Sequence, residues 1–210
     1  IYETAFFQWQ WLEDAIARGL LPASADQFNR LHEALVERMA ALFTPGSHVH
    51  FSAVEESIED RQTVLYLEDI ATQAGLNPQF VAVKAVGTNQ AGQLIDDHNQ
   101  LIGALFKLYP WEALMRSAFA EQLTRSSTLF LEPLWKAILS NKAILPLLWE
   151  RHRGHRNLLP AAFLGTAEAD AIAATPHAIK PFFSREGADI ELFDGQRRVR
   201  GPAEGYGAEG

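Results

Sequence analysis

Apolar residues recur at helical spacing in the first part of the chain. Between residues 2 and 18 they cover a wide arc, which predicts a helix that is largely buried. Ser24-Ala25-Asp26-Gln27 has the form of a capping box, and apolar positions then follow on one face from Phe28 to Leu42. A second helix is therefore predicted, ending before Pro45-Gly46, and we expect the two helices to pack together.

The pattern then changes to short runs rich in β-branched and aromatic residues. Residues 48–54 predict a strand, a helix follows from near Ser57 to near Gly75, and residues 80–86 predict the next strand. This order predicts a βαβ unit with parallel pairing. Asp96-Asp97-His98-Asn99 is turn-forming, so the apolar runs on either side of it predict a hairpin.

Short helices and strands alternate in the rest of the chain. Pro110-Trp111-Glu112 starts a helix, Leu129-Phe130-Leu131 predicts a strand, and a helical stretch follows. Residues 178–183 and 188–193 predict two strands around a small loop, and Asp194-Gly195 is a hairpin turn signal. The whole pattern predicts an α/β protein.

Composition narrows the classes of function. The chain has 210 residues, 48% of them hydrophobic, which suits one large domain or two small ones. A formal net charge of −8 argues against nucleic acid as a partner, and the lack of cysteine excludes disulfides and thiol nucleophiles. The apolar runs are shorter than a membrane span, so no membrane partner is expected, and the cytoplasm is the default compartment.

The stretch from Ala178 to Ile190 carries the most chemical information. It places Lys180 at a strand, then a short polar loop with Arg185 and Gly187, then a second strand. Backbone N–H groups beside a glycine can approach phosphate oxygens, and a cation offsets the charge that develops in phosphoryl transfer. The arrangement suits a loop that covers a nucleotide. Spacing alone favours the alternative, in which both cations are solvated side chains of an ordinary hairpin.

Lys142 is a second candidate, because it follows Ser140 and Asn141 near the start of a predicted helix. There its charge would add to backbone N–H groups that already favour an anion. The alternative is a capped amphipathic helix with a surface lysine, and the residues alone favour that alternative.

These two stretches together resemble the ATP-grasp domain of glutathionylspermidine synthase and its shorter homologues, which are described as acid–amine ligases. The resemblance covers nearly the whole chain, and its motifs are longer and more specific than a lone glycine pattern. They are residues 2–9, residues 11–14, residues 107–112 and the two lysine segments.

The resemblance implies an α/β fold in which a pre-ATP-grasp-like βαβ unit is joined to part of an ATP-grasp domain with a small antiparallel hairpin subdomain. On this basis we expect a helical pair at residues 1–46 and a pre-ATP-grasp-like α/β region at residues 47–126. A partial ATP-grasp region with the phosphate-loop hairpin would follow at residues 127–210.

A reaction is implied as well. ATP phosphorylates the carboxylate of a small molecule or a peptide, and an amine then attacks the acyl phosphate to give an amide. The resemblance implies that Lys142 and Lys180 contact the nucleotide phosphates. Arg185 matches the arginine of the mobile loop over the reacting centre and is the implied catalytic residue. The other expected ATP-binding residues share this loop: Ser184, Glu186 and Gly187.

The family's acidic substrate-binding pair falls on Glu59 and Asp60. Such carboxylates would hold an amine through charge-assisted hydrogen bonds. Ser57 and Asp60 also resemble a helix-capping pair, and acidic residues favour the first turn of a helix. Both interpretations are open at the level of sequence.

Magnesium is the second implied cofactor beside ATP. The family's magnesium ligands, an acidic group with a Glu-x-Asn pair, precede the matched segment, so no metal ligand is expected in this chain. Because the chain starts at Ile1 and ends in a loop-like stretch, we expect an internal fragment that is inactive alone. The competing hypothesis is a nucleotide-binding homologue with weak ATPase activity that acts as a binding or regulatory module.

Two basic stretches are expected to be structural. His152 and His155 have the spacing of a metal pair, but the neighbouring arginines favour a solvated helix end. Residues 197–200 are expected to form an exposed edge strand and not an RNA-binding patch, because the chain is acidic.

Overall fold

The computed structural model describes residues 7–27, 29–117, 119–185 and 187–201. The chain divides into two compact units, Ile1–Leu134 and Trp135–Gly210. Among the described residues, no helix combines the length and the apolar character that a membrane crossing requires.

The first unit contains helices and strands in alternation. Its described helices are α1 (Gln8–Ala17), α2 (Leu31–Leu42), α3 (Ile58–Gln73), α4 (Trp111–Arg116) and α5 (Ala120–Arg125). Its described strands are β1 (His48–Ala53), β2 (Asn77–Ala82), β3 (Gly87–Thr88), β4 (Leu94–Ile95), β5 (Ala104–Leu108) and β6 (Leu129–Leu131). The mixed α/β class predicted from the sequence is confirmed.

Four parallel strands form the main sheet of the first unit, in the order β2-β1-β5-β6. The predicted βαβ unit is confirmed, since α3 connects β1 to its parallel neighbour β2. The second strand lies earlier than predicted, because it pairs with the full length of β1, from His48 opposite Asn77 to Ala53 opposite Ala82. Val83–Ala85 then forms a short 3-10 turn.

One face of this sheet packs against α3. Val49, Phe51 and Ala53 alternate along β1 and share a buried cluster with Val64 and Ile70 of the helix. Burying a side chain of this size stabilises the fold by about 1.5–3 kcal/mol. The opposite face of β1 is left for His50 and Ser52, which are also buried.

The prediction that the two apolar runs around residues 96–99 pair with each other as a hairpin is wrong. β4 pairs with β3, and it meets the following segment in a single bridge between Ile95 and Leu101. β5 pairs instead with β1 in parallel. The physical reason is that Ala104, Leu105 and Lys107 are all buried, so both faces of β5 are covered, which is typical of a central parallel strand.

The first two helices also differ from the prediction. On α1 only Leu12 and Ala15 are buried, and Trp11 is 65% exposed, so the buried face is narrower than the predicted arc. α2 begins at Leu31 and not at the capping box of residues 24–27. The side chain of Asn29 accepts a hydrogen bond from the Leu31 N–H at 3.1 Å, which provides a local acceptor at the observed start.

The second unit carries a small antiparallel sheet. Its described elements are α6 (Ala137–Ser140), α7 (Ile144–Arg151), α8 (Ala167–Ala173), β7 (His177–Ile179), β8 (Glu191–Asp194) and β9 (Arg197–Arg200). The strand order is β7-β8-β9, and all four residues of β9 are exposed, which confirms the predicted edge strand. β7 ends at Ile179 and β8 begins at Glu191, so both strands are shorter than predicted.

Side chains of α7 and of the turn after it contact α8 in the second unit. Trp149 Nε1 and Arg153 Nη1 each donate to Glu168 Oε1 at 2.7 Å. Hydrogen bonds from Arg153 and Trp149 hold the pKa of Glu168 below its ordinary value. His152 and His155 lie exposed beyond the end of α7, as the solvated-end interpretation predicts.

Candidate functional site

Two of the predicted nucleotide-binding residues meet in the second unit. Lys142 precedes α7, and its Nζ donates a hydrogen bond to the backbone oxygen of Ser184 at 2.6 Å. The Lys142 backbone N–H also donates to the Phe182 oxygen at 2.8 Å. The segment before α7 is thereby fixed to the loop between β7 and β8, and the two lysine stretches of the sequence become one structural feature.

The hydroxyl of Ser184 lies in the same place. Its Oγ is buried and has no hydrogen-bond partner among the described residues. A buried hydroxyl without a partner is destabilising by about 1–3 kcal/mol. A ligand oxygen or a water would provide that partner.

The loop between β7 and β8 contains the remaining candidates. Lys180 directly follows β7 and is exposed, and Arg185 is exposed farther along the loop. Gly187 has a φ of 81°, a conformation that glycine adopts without strain, and the Ala188 N–H donates to the Arg185 oxygen at 2.8 Å. Glu186 lies outside the described residues.

These features fit an oxygen-rich anion. A compact ammonium, a buried hydroxyl donor and a glycine with positive φ are groups that bind phosphate oxygens. Lys142 and Ser184 would hold such a group, and Lys180 and Arg185 carry further positive charge on the same loop. The chemical groups of these residues therefore fit a nucleotide phosphate.

Glu59 and Asp60 lie in the first turn of α3, in the first unit. Ser57 is the N-cap, and its side chain accepts a hydrogen bond from the Asp60 N–H at 3.3 Å. The capping interpretation is therefore observed. Glu59 is exposed and Asp60 is half-buried, so both remain candidates for binding an amine.

A buried Asp–His pair stabilises the turn after β4. Asp96 Oδ1 accepts hydrogen bonds from the N–H groups of His98 at 2.9 Å and Gln100 at 2.8 Å, and Oδ2 lies 3.3 Å from His50 Nε2. Burial by itself raises the pKa of Asp96, but hydrogen bonds from the Gln100 N–H, His50 and the His98 N–H hold it below its ordinary value.

Asp96, Asp97 and His98 form the group of possible metal ligands found among the described residues, with one ligand atom each within 4.8 Å of one another. Both Asp96 oxygens are already engaged by the turn and by His50. The turn accounts for the cluster without a metal.

Sequence reasoning missed a cavity of about 480 Å³ in the first unit. It lies on the sheet face opposite α3, and Ser52 and Lys107 are the buried polar residues in its wall. Polar residues at alternate positions near the ends of two apolar strands are the signal that would have found it. That signal becomes useful only once the pairing of β1 with β5 is known.

The chain is thus an α/β protein that combines a parallel sheet in the first unit with a lysine bonded to a hairpin loop in the second. Residues 1–210 match the family model described as glutathionylspermidine synthase preATP-grasp. The chain belongs to this family, and the resemblance inferred from the sequence is confirmed.

Several curated proteins are similar to the chain. A Haemophilus influenzae protein whose name places it among the acid–amine ligases is 38% identical over 98% of the chain, which covers 52% of that protein. The bifunctional glutathionylspermidine synthetase/amidase of Escherichia coli is 29% identical over 74% of the chain and 28% of its own length. The trypanothione synthetase of Crithidia fasciculata is 28% identical over 75% of the chain and 27% of its own length. The chain spans about half the length, or less, of these relatives.

Proposed function

We propose that this chain is part of an ATP-dependent carboxylate–amine ligase that forms an amide through an acyl phosphate. Family membership and the printed names of the relatives, an acid–amine ligase and two synthetases, support this class of reaction. The observation that carries the proposal is the hydrogen bond from Lys142 Nζ to the Ser184 oxygen, beside a buried hydroxyl that has no partner among the described residues.

The proposed reaction has two chemical steps. The γ-phosphoryl group of ATP passes to a carboxylate oxygen of the substrate, and ADP leaves. The amine nitrogen then attacks the carbonyl carbon, phosphate leaves with its bonding electron pair, and the nitrogen loses a proton to give the amide. Both steps develop negative charge on oxygen, which fixed cations and N–H donors stabilise.

The residues of the second unit have separate roles in this proposal. Lys142 and Lys180 bind the phosphates, Ser184 donates its hydroxyl, and Gly187 offers its backbone N–H. Arg185 stabilises the charge on the acyl phosphate and on the tetrahedral intermediate. Glu186 is proposed as a further nucleotide contact. Magnesium, bound with ATP, would neutralise phosphate charge, and none of these residues is proposed as its ligand.

The substrates are proposed as classes. Glu59 and Asp60 would bind the amine, because carboxylates in the first turn of α3 are accessible to an ammonium group. The acid is a small molecule or a peptide with a free carboxylate. In the proposed division, a helical pair (1–46) and a pre-ATP-grasp region (47–126) precede a partial ATP-grasp region (127–210).

Release of ADP by the full-length protein tests this function. We expect the rate to rise only when both a carboxylate and an amine are present, with peptides, amino acids and polyamines as the screened pools. Arg185→Ala should leave ATP affinity unchanged and lower amide formation by about a hundredfold or more, because the arginine acts on the transition state. Arg197→Ala, an exposed arginine of β9, is the matched control.

The competing hypothesis makes a different prediction for the same assay. A binding or regulatory module would release ADP slowly, at a rate that ignores both the acid and the amine. That outcome, with Arg185→Ala equal to the native protein, would replace the ligase proposal.

A further inference from the structure

The chain passes from α6 to α7 through Asn141. α6 ends at Ser140, and α7 begins at Ile144. The backbone of Asn141 is extended, with φ −87° and ψ 118°, and its N–H donates to the Ile138 oxygen at 3.2 Å. Asn141 therefore belongs to neither helix, and its conformation sets the direction in which the chain leaves α6.

The side chain of Asn141 closes the turn that leads into α7. Its Oδ1 accepts a hydrogen bond from the Ala143 N–H at 2.9 Å, and its backbone oxygen accepts from the Ile144 N–H at 3.1 Å. The first N–H groups of a helix have no partner within the helix, and an asparagine side chain is among the best local acceptors for them. Lys142 is the residue enclosed by this capping turn.

The backbone of Lys142 is held on both sides. Its N–H donates to the Phe182 oxygen at 2.8 Å, and its own oxygen accepts from the Leu145 N–H at 3.0 Å. A lysine carries its charge on a flexible four-carbon stem, so the position of its Cα limits where the ammonium can reach. The Asn141 cap and these two bonds together fix the point from which that stem starts.

The ammonium and the backbone of Lys142 contact the same loop. The backbone N–H meets Phe182, and Nζ donates to the oxygen of Ser184 at 2.6 Å. A displacement of the capping turn would therefore move the ammonium away from the loop between β7 and β8. Functional groups are held in productive geometry by neighbouring residues that fix their backbone and rotamers.

We infer that Asn141 is a positioning residue, whose cap holds Lys142 with its ammonium facing the loop before ATP binds. The inference rests on the proposed role of Lys142 in the nucleotide site. Asn141 itself does not contact the nucleotide in this account. Preorganisation lowers the ordering that binding requires, so loss of the cap weakens ATP binding in proportion to the fraction of molecules in which Lys142 is misplaced.

Calorimetric titration of ATP with magnesium into the full-length protein tests this role. Asn141→Ala removes the acceptor of the Ala143 N–H and should weaken ATP binding about fivefold, the ratio that corresponds to loss of one cap. Asn141→Ser keeps a neutral acceptor and should bind ATP with nearly native affinity. An Asn141→Ser variant that binds as weakly as Asn141→Ala would count against the inference.

Thr166→Ala is the matched control, because it removes a cap in the same unit that is not connected to Lys142. Thr166 Oγ1 accepts from the Ala169 N–H at 3.3 Å at the start of α8. Thermal unfolding should show a similar loss of stability in Thr166→Ala and Asn141→Ala, but Thr166→Ala should bind ATP as the native protein does. Equal weakening of ATP binding in both variants would assign the effect to stability alone and overturn the positioning role.

A double variant shows whether Asn141 acts through Lys142. In a Lys142→Met background, Asn141→Ala should cause no further loss of ATP affinity, because the group that it positions is absent. A full additional fivefold loss there, or native affinity in Asn141→Ala while Lys142→Met binds weakly, would overturn the positioning role and leave the nucleotide site standing. Native affinity in Lys142→Met would instead overturn the proposed nucleotide site, and this inference with it.

Discussion

Single side chains of this protein combine burial with an unusual polar environment. Asp96 shows this most clearly, because it is buried and yet stays ionised through the Gln100 N–H, His50 and the His98 N–H. Ionised carboxylates are buried only when such partners compensate for lost water. Asp96 therefore links the pH to the stability of the first unit.

The predicted pH dependence follows from the direction of this shift. Because the folded pKa is lower than the ordinary value of 3.8, Asp96 stabilises the fold above pH 3.8, and this contribution is lost as the pH falls through the folded pKa. Asp96→Asn should remove that part of the acid dependence and destabilise the unit at neutral pH by about 1–3 kcal/mol. Urea unfolding of both proteins at a series of pH values measures it.

The groups facing Asp96 define the control for this prediction. His50 contacts its Oδ2, while Asp97 and His98 are exposed neighbours in the turn. Asp97→Asn should leave the acid dependence close to native. The interpretation fails if Asp96→Asn and the native chain lose stability in parallel below pH 3.8.

Individual residues of the second unit show which features of the candidate site can be predicted from the sequence. Lys142 and Ser184 are 42 positions apart, and the tertiary structure brings the Lys142 ammonium to the Ser184 oxygen. The resemblance identified both residues, because long motifs preserve residue types. Their contact depends on the tertiary structure, which local spacing does not encode.

At the scale of helices and strands, helix capping and strand pairing explain where the structure differs from the elements predicted from the sequence. The Ser57 cap of α3 was recognisable, since the hydroxyl, the acidic first turn and the apolar face agree. The false cap at residues 24–27 has the same local form but is not followed by a helix until Leu31. β5 was mispaired in the prediction, because a turn signal says nothing about a partner that is distant in sequence.

Removal of the cap on α3 is a direct test of element stability. Ser57→Ala should destabilise the first unit by about 1 kcal/mol, because the Asp60 N–H loses its acceptor, and Ser57→Asp should restore stability. Thr166→Ala removes the corresponding cap of α8 in the second unit, where Thr166 Oγ1 accepts from the Ala169 N–H at 3.3 Å. Chemical denaturation followed by residue-resolved amide signals distinguishes the units.

The expected pattern is local to each unit. Ser57→Ala should affect the signals of residues around α3, and Thr166→Ala those around α8. Unchanged stability in Ser57→Ala would contradict the capping interpretation.

At the scale of the whole molecule, the described residues divide between two units with different main sheets, which are parallel in the first unit and antiparallel in the second. Composition and periodicity were sufficient to predict a mixed α/β chain, and the family match confirms the resemblance. The cavity of the first unit was not predictable, because it depends on the order of β1 and β5 and on which face each strand presents. Pairing between distant strands is the information that a single sequence lacks.

The central claim is that the second unit binds ATP through Lys142 and the loop between β7 and β8. Calorimetric titration of ATP with magnesium into the full-length protein tests it most directly. Lys142→Met should weaken ATP binding by about tenfold or more, because the ammonium no longer faces the phosphates, while Arg197→Met should bind as the native protein does. Native ATP affinity in a correctly folded Lys142→Met variant would contradict the account.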